Sequence, residues 1–337
     1  MTIPIFDGHN DVLFRLELDP QRSFADCGDD GHIDVAKAQK GGFAGGLFAM
    51  FAANPELLTG GPRDRSRPYG PLDADFAMRS MMRQFGRLRM LEADGHVRVA
   101  TTVADIEQAM ADGVMAAVPH IEGAEALTDV ADLEALYGLG LRSLGLVWSR
   151  PNRYATGVPF AFPGTPDVGP GLTHAGAELV KACNRLGVLV DVSHLNEAGF
   201  WDVLDISDAP VVASHSNAHS VAASPRNLTD RQLDALAERD GLVGINFGVG
   251  FLREDGAFDS NTPLADVVRH ADHLIERVGE DRVALGSDFD GAMMPDALHG
   301  VDALPKLLDA FREHGYDDAL IEKIAHGNWL ALLRRVW

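Results

Sequence analysis

Residues 188–217 read VLVDVSHLNEAGFWDVLDISDAPVVASHSN and hold two short apolar runs, Val188–Ser193 and Val211–Ser214, each giving way to a histidine. Runs of this length, with a longer helical stretch between them, read as parallel strands joined by a helix. Their almost wholly apolar character suits strands covered on both faces. The same unit recurs in both directions along the chain. Ile3–Asp7, Gly45–Phe51, Val114–Ile121 and Ser143–Trp148 precede it, and Leu242–Phe247 and Val283–Ser287 follow it. Eight strands with interleaved helices predict an α/β fold closed as a (β/α)8 TIM barrel.

Two helices show their ends. Thr262-Pro263 predicts an N-cap with proline at the first helical position, and the stripe Leu264, Val267, Val268, Ala271, Leu274, Ile275 and Val278 runs on to Gly279. Thr173 predicts the cap of a helix that ends near Leu186, with Gly187 behind it. Two connections are long: Ala52–Leu72, with Gly60, Gly61, Pro62, Pro68 and Pro71, and Ser149–Leu172. Both follow strands, which places them on the catalytic face as walls or lids of a pocket. Residues 1–337 are therefore expected to form a single barrel domain with long loops near 52–72 and 149–172.

The composition supports one large core and narrows the partners. Of 337 residues, 46% are apolar and 23% charged, with no low-complexity tract or fixed-period repeat. A net charge of −21 repels phosphate backbones and anionic lipid, which argues against nucleic acid and membrane as partners. No apolar run reaches the ~18 residues of a membrane span. Met1–Asp11 passes directly into a strand-like run with no basic leader, and Cys27 and Cys183 form no CxxC pair, so a cytoplasmic protein is expected.

The polar residues sit at the strand ends. Asp7-Gly8-His9-Asn10-Asp11, His120-Ile121-Glu122-Gly123, Asp191-Val192-Ser193-His194, Ser214-His215-Ser216-Asn217 and Ser287-Asp288-Phe289-Asp290 each close an apolar run. In a parallel barrel those ends meet at one mouth. Histidine with carboxylate favours Zn, Mn or Fe over Ca or Mg. His9 and Asp11, two apart, can reach one cation, and His194 and His215 from neighbouring strands can hold a second. Two metals about 3.5–4 Å apart need a bridging anion. None of the five lysines stands at a strand end, so Glu122 is assigned the bridge. Asp288 suits a base that takes a proton from an activated water and passes it to a leaving amine. Arg226, shortly beyond His215, could grip a substrate carboxylate. His96, His270, His273, His299, His314 and His326 are read as structural or surface residues, and His32 and His174 also lack a strand-end setting. His120 is left unassigned, and His219 is read as a supporting or surface residue.

At these residues the chain resembles the membrane (renal) dipeptidase family, zinc dipeptidases of the amidohydrolase-like superfamily. The resemblance runs over nearly the whole chain, through the strand-end motifs above, Arg226-Asn227 and the terminal Gly327-Asn328-Trp329. It implies a metal-dependent-hydrolase barrel with two Zn2+ per chain, bound by His9 and Asp11 on one side and His194 and His215 on the other, with Glu122 between. It implies a metal-bridging hydroxide, Asp288 as proton shuttle, Arg226 on the carboxylate of a small dipeptide, and tolerance for an L-Xaa-D-Xaa substrate. Homodimers are common in the family. Its mammalian members carry a histidine just after strand four that touches substrate near the scissile carbonyl. Here Leu144–Asn152 reads LGLVWSRPN, without histidine. Trp148 or Ser149 stands in the matching place, and Asn152 or Arg150 could substitute, with Asn152 taken as the substrate-binding candidate.

Two other functions fit the same ligands. One is hydrolysis of a cyclic amide, lactone or β-lactam, which a requirement for a free substrate carboxylate would separate. The other is an accessory protein that has lost turnover, against which the full ligand set argues.

Overall fold

The computed structural model describes residues 3–28, 30–59 and 68–337. Nine strands pair in parallel: β1 (Ile5–Asn10), β2 (Phe43–Phe51), β3 (Val97–Val99), β4 (Met115–Glu122), β5 (Ser143–Gly145), β6 (Leu189–Asp191), β7 (Val212–Ala213), β8 (Leu242–Ile245) and β9 (Val283–Leu285). Their order is β1-β2-β4-β5-β6-β7-β8-β9, with β3 attached to β4. The two ends of this sheet approach each other. Asp11 N–H donates to Phe289 O at 2.8 Å, and Asp288 N–H donates to His9 O at 3.1 Å. The eight-strand sheet is thus nearly closed, as a TIM barrel.

All eight expected strands are present, and most stop short of their apolar runs because the backbone turns at the rim. The ninth, β3, was not expected. Val97-Arg98-Val99 is too short and too charged to read as a buried strand. It pairs with Met115–Ala117, while β5 pairs with the later residues His120–Glu122 of the same strand. Thr173 caps its helix as expected, its hydroxyl accepting from Gly176 N–H, and Gly187 takes the left-handed conformation behind it. Thr262 does not cap. The helix Leu264–Val278 starts after Pro263, which is extended, and Thr262 Oγ1 instead donates to Asp259 O at 2.6 Å. Gly60, Gly61 and Pro62 lie outside the described residues.

Apolar packing forms two layers. One lies between strands and helices around the barrel. The other fills the barrel itself, where Phe6, Leu47, Val118, Leu189, Val212 and Leu242 meet Trp329 and Leu333 of the final helix, Asn328–Val336. That helix plugs the end of the barrel opposite the strand-end residues. Asn328 donates to Glu280 O and Val283 O, both at 2.7 Å, and Trp329 Nε1 donates to Leu285 O at 2.9 Å. Gly8 makes the plug possible, because a Cβ there would collide with the Trp329 ring and the Ser214 carbonyl. Among the described residues no helix is long and apolar enough to cross a membrane.

Candidate metal centre and active site

The strand ends deliver the expected side chains to one buried point. His9 lies in β1, Glu122 ends β4, and Asp11 stands at the start of the helix Val12–Leu18. His194, His215 and Asp288 follow β6, β7 and β9 directly. His194 and Asp288 adopt left-handed backbone, with φ of 67° and 64°. For a residue bearing a Cβ this costs about 1–2 kcal/mol, and such residues concentrate at functional sites.

Glu122 Oε1 is the focus. His194 Nε2 lies 3.0 Å from it, His215 Nε2 3.4 Å and His9 Nε2 3.7 Å. The Nε2 atoms of His194 and His215 are 3.1 Å apart, and His9 Nε2 is 3.3 Å from Asp11 Oδ2. Ligand atoms of His9, Glu122 and His215 form one compact group, and those of His9, Asp11 and Asp288 form another. His9 Nδ1 and Asp11 Oδ1 are buried without a hydrogen-bond partner among the described residues. Three imidazoles and two or three carboxylates this close, and this largely buried, repel one another or leave lone pairs unsatisfied. Divalent cations resolve both problems, so the donor set fits a metal.

The electrostatics carry the same imprint. Burial pushes Glu122 well above the usual carboxylate range, and Asp11 and Asp288 push it further. Burial and Asp11 raise Asp288 to about 6 against the pull of His9, Asn246 and Arg226. Burial alone would depress His9, but Glu122, Asp11 and Asp288 outweigh it and lift the ring to about 10. Burial, then Arg226 and His9, hold His194 and His215 well below their ordinary value. His120 points into the barrel, edge-on to His9 at 5.5 Å, and burial lowers it to about 3.

Arg226 is buried beside the cluster. Nη2 donates to His215 O at 3.0 Å and Nη1 to Ser216 Oγ at 3.5 Å, while Nε has no partner among the described residues. Its guanidinium lies over Phe251, 5.5 Å from the ring centroid. Burial lowers its pKa to about 10, which leaves it cationic near neutrality. Phe251 begins an aromatic wall that continues through Phe160 and Trp148 to Tyr69, with Trp148 5.8 Å from the His194 ring.

The segment after β5 supports the site from behind. Ser149 Oγ meets His194 Nδ1 at 2.8 Å. Arg150 is fully buried and binds Glu125, Asn54 and Ala52 O, so its guanidinium is committed to joining three loops. The Asn152 amide is also committed. Its nitrogen donates to Leu146 O at 2.7 Å and more weakly to Glu125, and its oxygen accepts from Tyr154 and Ala155 N–H. His219 donates to or accepts from nothing in the metal cluster; its Nε2 faces Gly164 O at 2.7 Å and ties the loops after β5 and β7 together.

Sequence reasoning missed Asn246. Its amide nitrogen donates to Asp288 Oδ2 at 2.9 Å, fixing that carboxylate. The available signal was a polar residue inside the otherwise apolar run Leu242–Phe247. Asp7 was quoted but given no role. It accepts Ser287 N–H and Ser287 Oγ–H, both at 2.7 Å, and so pins β1 to the residues after β9.

The sequence model of the membrane dipeptidase family, peptidase family M19, matches residues 1–337. The crystal structure of a metallopeptidase from Rhodobacter sphaeroides, liganded with a phosphinate mimic of the dipeptide L-Ala-D-Ala, is 46% identical. It superposes with a TM-score of 0.95 over 100% of both chains. An uncharacterised protein from the 5′ region of pqqA in Klebsiella pneumoniae is 46% identical over 273 residues, 81% of this chain and 99% of that one. An uncharacterised protein from the PQQ-III 3′ region in Acinetobacter calcoaceticus is 39% identical over 286 residues, 82% of this chain and 90% of that one. The chain belongs to the membrane dipeptidase family, peptidase family M19, and is a metal-dependent hydrolase of dipeptides.

Proposed function

We propose that this protein is a dizinc dipeptidase that hydrolyses the peptide bond of free dipeptides, L-Xaa-D-Xaa among them. The observation that carries the reading is the convergence of His9, His194 and His215 on one oxygen of Glu122, within 3.0–3.7 Å. His9 and Asp11 would hold one zinc and His194 and His215 the other, with the Glu122 carboxylate available to both. A zinc pair bound there would lower the pKa of a water to make the nucleophile and would polarise the scissile carbonyl. The phosphinate dipeptide mimic in the Rhodobacter sphaeroides relative supports a dipeptide as substrate and a D-residue at its second position.

Arg226 orients the substrate by its free carboxylate. Its unpartnered Nε supplies a donor, and its position beside His215 sets the distance from that carboxylate to the reacting carbonyl. Asp288 handles the proton. It accepts one from the attacking water and returns it to the leaving nitrogen, so no net proton is gained or lost at the carboxylate. The Asn246 hydrogen bond and the left-handed backbone hold it in place. Asn152 acts at one remove, by holding the loop that carries Trp148 and Ser149.

Arg226→Ala tests the substrate reading. Carboxylate binding is similar in ground and transition states, so KM should rise while kcat largely persists. The wild type should also fail on the matching dipeptide amide. An unchanged KM, or ready cleavage of the amide, removes Arg226 from the substrate site.

A further inference from the structure

A neutral imidazole carries one N–H, and the partner of one nitrogen decides whether the other is free to bind a cation. Asp191, 2% exposed, settles this for His215 through an intermediate hydroxyl. Asp191 Oδ1 accepts N–H from Ser193 and Ser214, each at 2.9 Å, and Oδ2 accepts the Ser214 hydroxyl. A carboxylate in that setting only accepts, so the Ser214 proton is committed to it. Ser214 Oγ must then accept from His215 Nδ1, which lies 2.8 Å away. The ring proton therefore sits on Nδ1, and the lone pair sits on Nε2, facing Glu122.

The other two histidines lack this arrangement. His194 Nδ1 meets Ser149 Oγ at 2.8 Å, a hydroxyl with no carboxylate behind it among the described residues. His9 Nδ1 has no hydrogen-bond partner among the described residues. We propose that Asp191 and Ser214 are positioning residues, a carboxylate–hydroxyl–imidazole relay that sets the tautomer and orientation of His215 and so strengthens one of the two metal positions. The proposal rests on the reading of His215 as a metal ligand. A partner behind a ligating histidine is typically worth about 10–100-fold in metal affinity.

The experiment is a zinc titration against a chromophoric chelator, on the full chain stripped of metal, for wild type, Ser214→Ala and Ser214→Thr. The expected result is that wild type binds two zinc ions per chain. Ser214→Ala should weaken one of them about 10–100-fold, and Ser214→Thr, which keeps the hydroxyl, should restore it. Unchanged affinities in Ser214→Ala overturn the relay and leave the metal reading standing. A wild type that binds no zinc overturns both. Should Ser214→Ala fail to fold, nitrogen-15 histidine spectra of the metal-free wild type decide the matter. The relay requires the proton of His215 on Nδ1, and a proton on Nε2 refutes it.

Discussion

Replacing Arg150 with methionine removes a buried cation that ties together the loops after β2, β4 and β5. The side chain is 0% exposed and that of its partner Glu125 is 2% exposed. Three hydrogen bonds disappear: Nε to Glu125 at 2.9 Å, and Nη1 to Asn54 and Nη2 to Ala52 O at 2.8 Å. Methionine fills the space of the stem but supplies no donor. Among the described residues Glu125 Oε2 already lacks a partner, so the substitution leaves a buried carboxylate with only the Asn152 amide at 3.4 Å. Breaking a buried ion pair from one side costs about 3–5 kcal/mol. For 337 residues, an unfolding entropy of about 2.1 cal/mol/K per residue amounts to about 0.7 kcal/mol/K. The midpoint of thermal unfolding should therefore fall by about 4–7 °C. Circular dichroism melts of wild type, Arg150→Met, Glu125→Gln and the double variant measure this directly. The double variant leaves no uncompensated charge, so its loss should be smaller than the two single losses added together, by about 1–3 kcal/mol. A drop below 1 °C for Arg150→Met, or strict additivity, would show that Arg150 and Glu125 do not stabilise each other in the core.

Asp288→Asn should lower kcat by about 10²–10⁴-fold while both metals stay bound; near-normal turnover would remove the proton-shuttle role. Gly291→Ala should weaken metal binding at His9 and Asp11, because a Cβ there would collide with Asp11 Oδ2 and Asp288 Oδ1. Full metal content and activity in that variant would contradict the crowding. His270 should contribute to acid sensitivity. Burial pushes it down to about 3, and Ala218 N–H donates to Nδ1 while Nε2 faces Leu252 O, an arrangement that only the neutral ring satisfies. The unfolded chain then takes up a proton at this ring before the folded one does. Its contribution to stability is whole above pH 6.5 and declines toward pH 3, by roughly 1 kcal/mol per pH unit. Urea unfolding of metal-free His270→Gln between pH 7 and 4.5 should show a shallower loss than wild type, and equal slopes would count against the assignment.

The barrel was legible because its strands are buried on both faces and so read as unbroken apolar runs, and the candidate ligands could be named because five of the eight runs give way to His, Asp or Glu. What escaped depends on groups brought together from distant loops. Tyr69 and Phe160 sit in the two long connections, and their meeting with Trp148 has no periodic signature. Arg150 looked available to the substrate from its place beside Trp148, yet its partners lie 25 to 98 residues away. Ser214 was visible beside His215, but its bond to Nδ1 arises from a rotamer that sequence does not specify, and Ser149 reaches His194 Nδ1 from 45 residues away. β3 was invisible because pairing to an already formed strand, not its own composition, holds Val97–Val99 in the sheet.

His9, Asp11, Glu122, His194 and His215 are proposed to hold a catalytic metal pair. The most direct test is metal content by mass spectrometry on the zinc-reconstituted protein, with turnover of L-Ala-L-Ala and L-Ala-D-Ala measured on the same sample. About two zinc ions per chain, with release of free amino acids, is the predicted result. A protein that retains no zinc after reconstitution would contradict it.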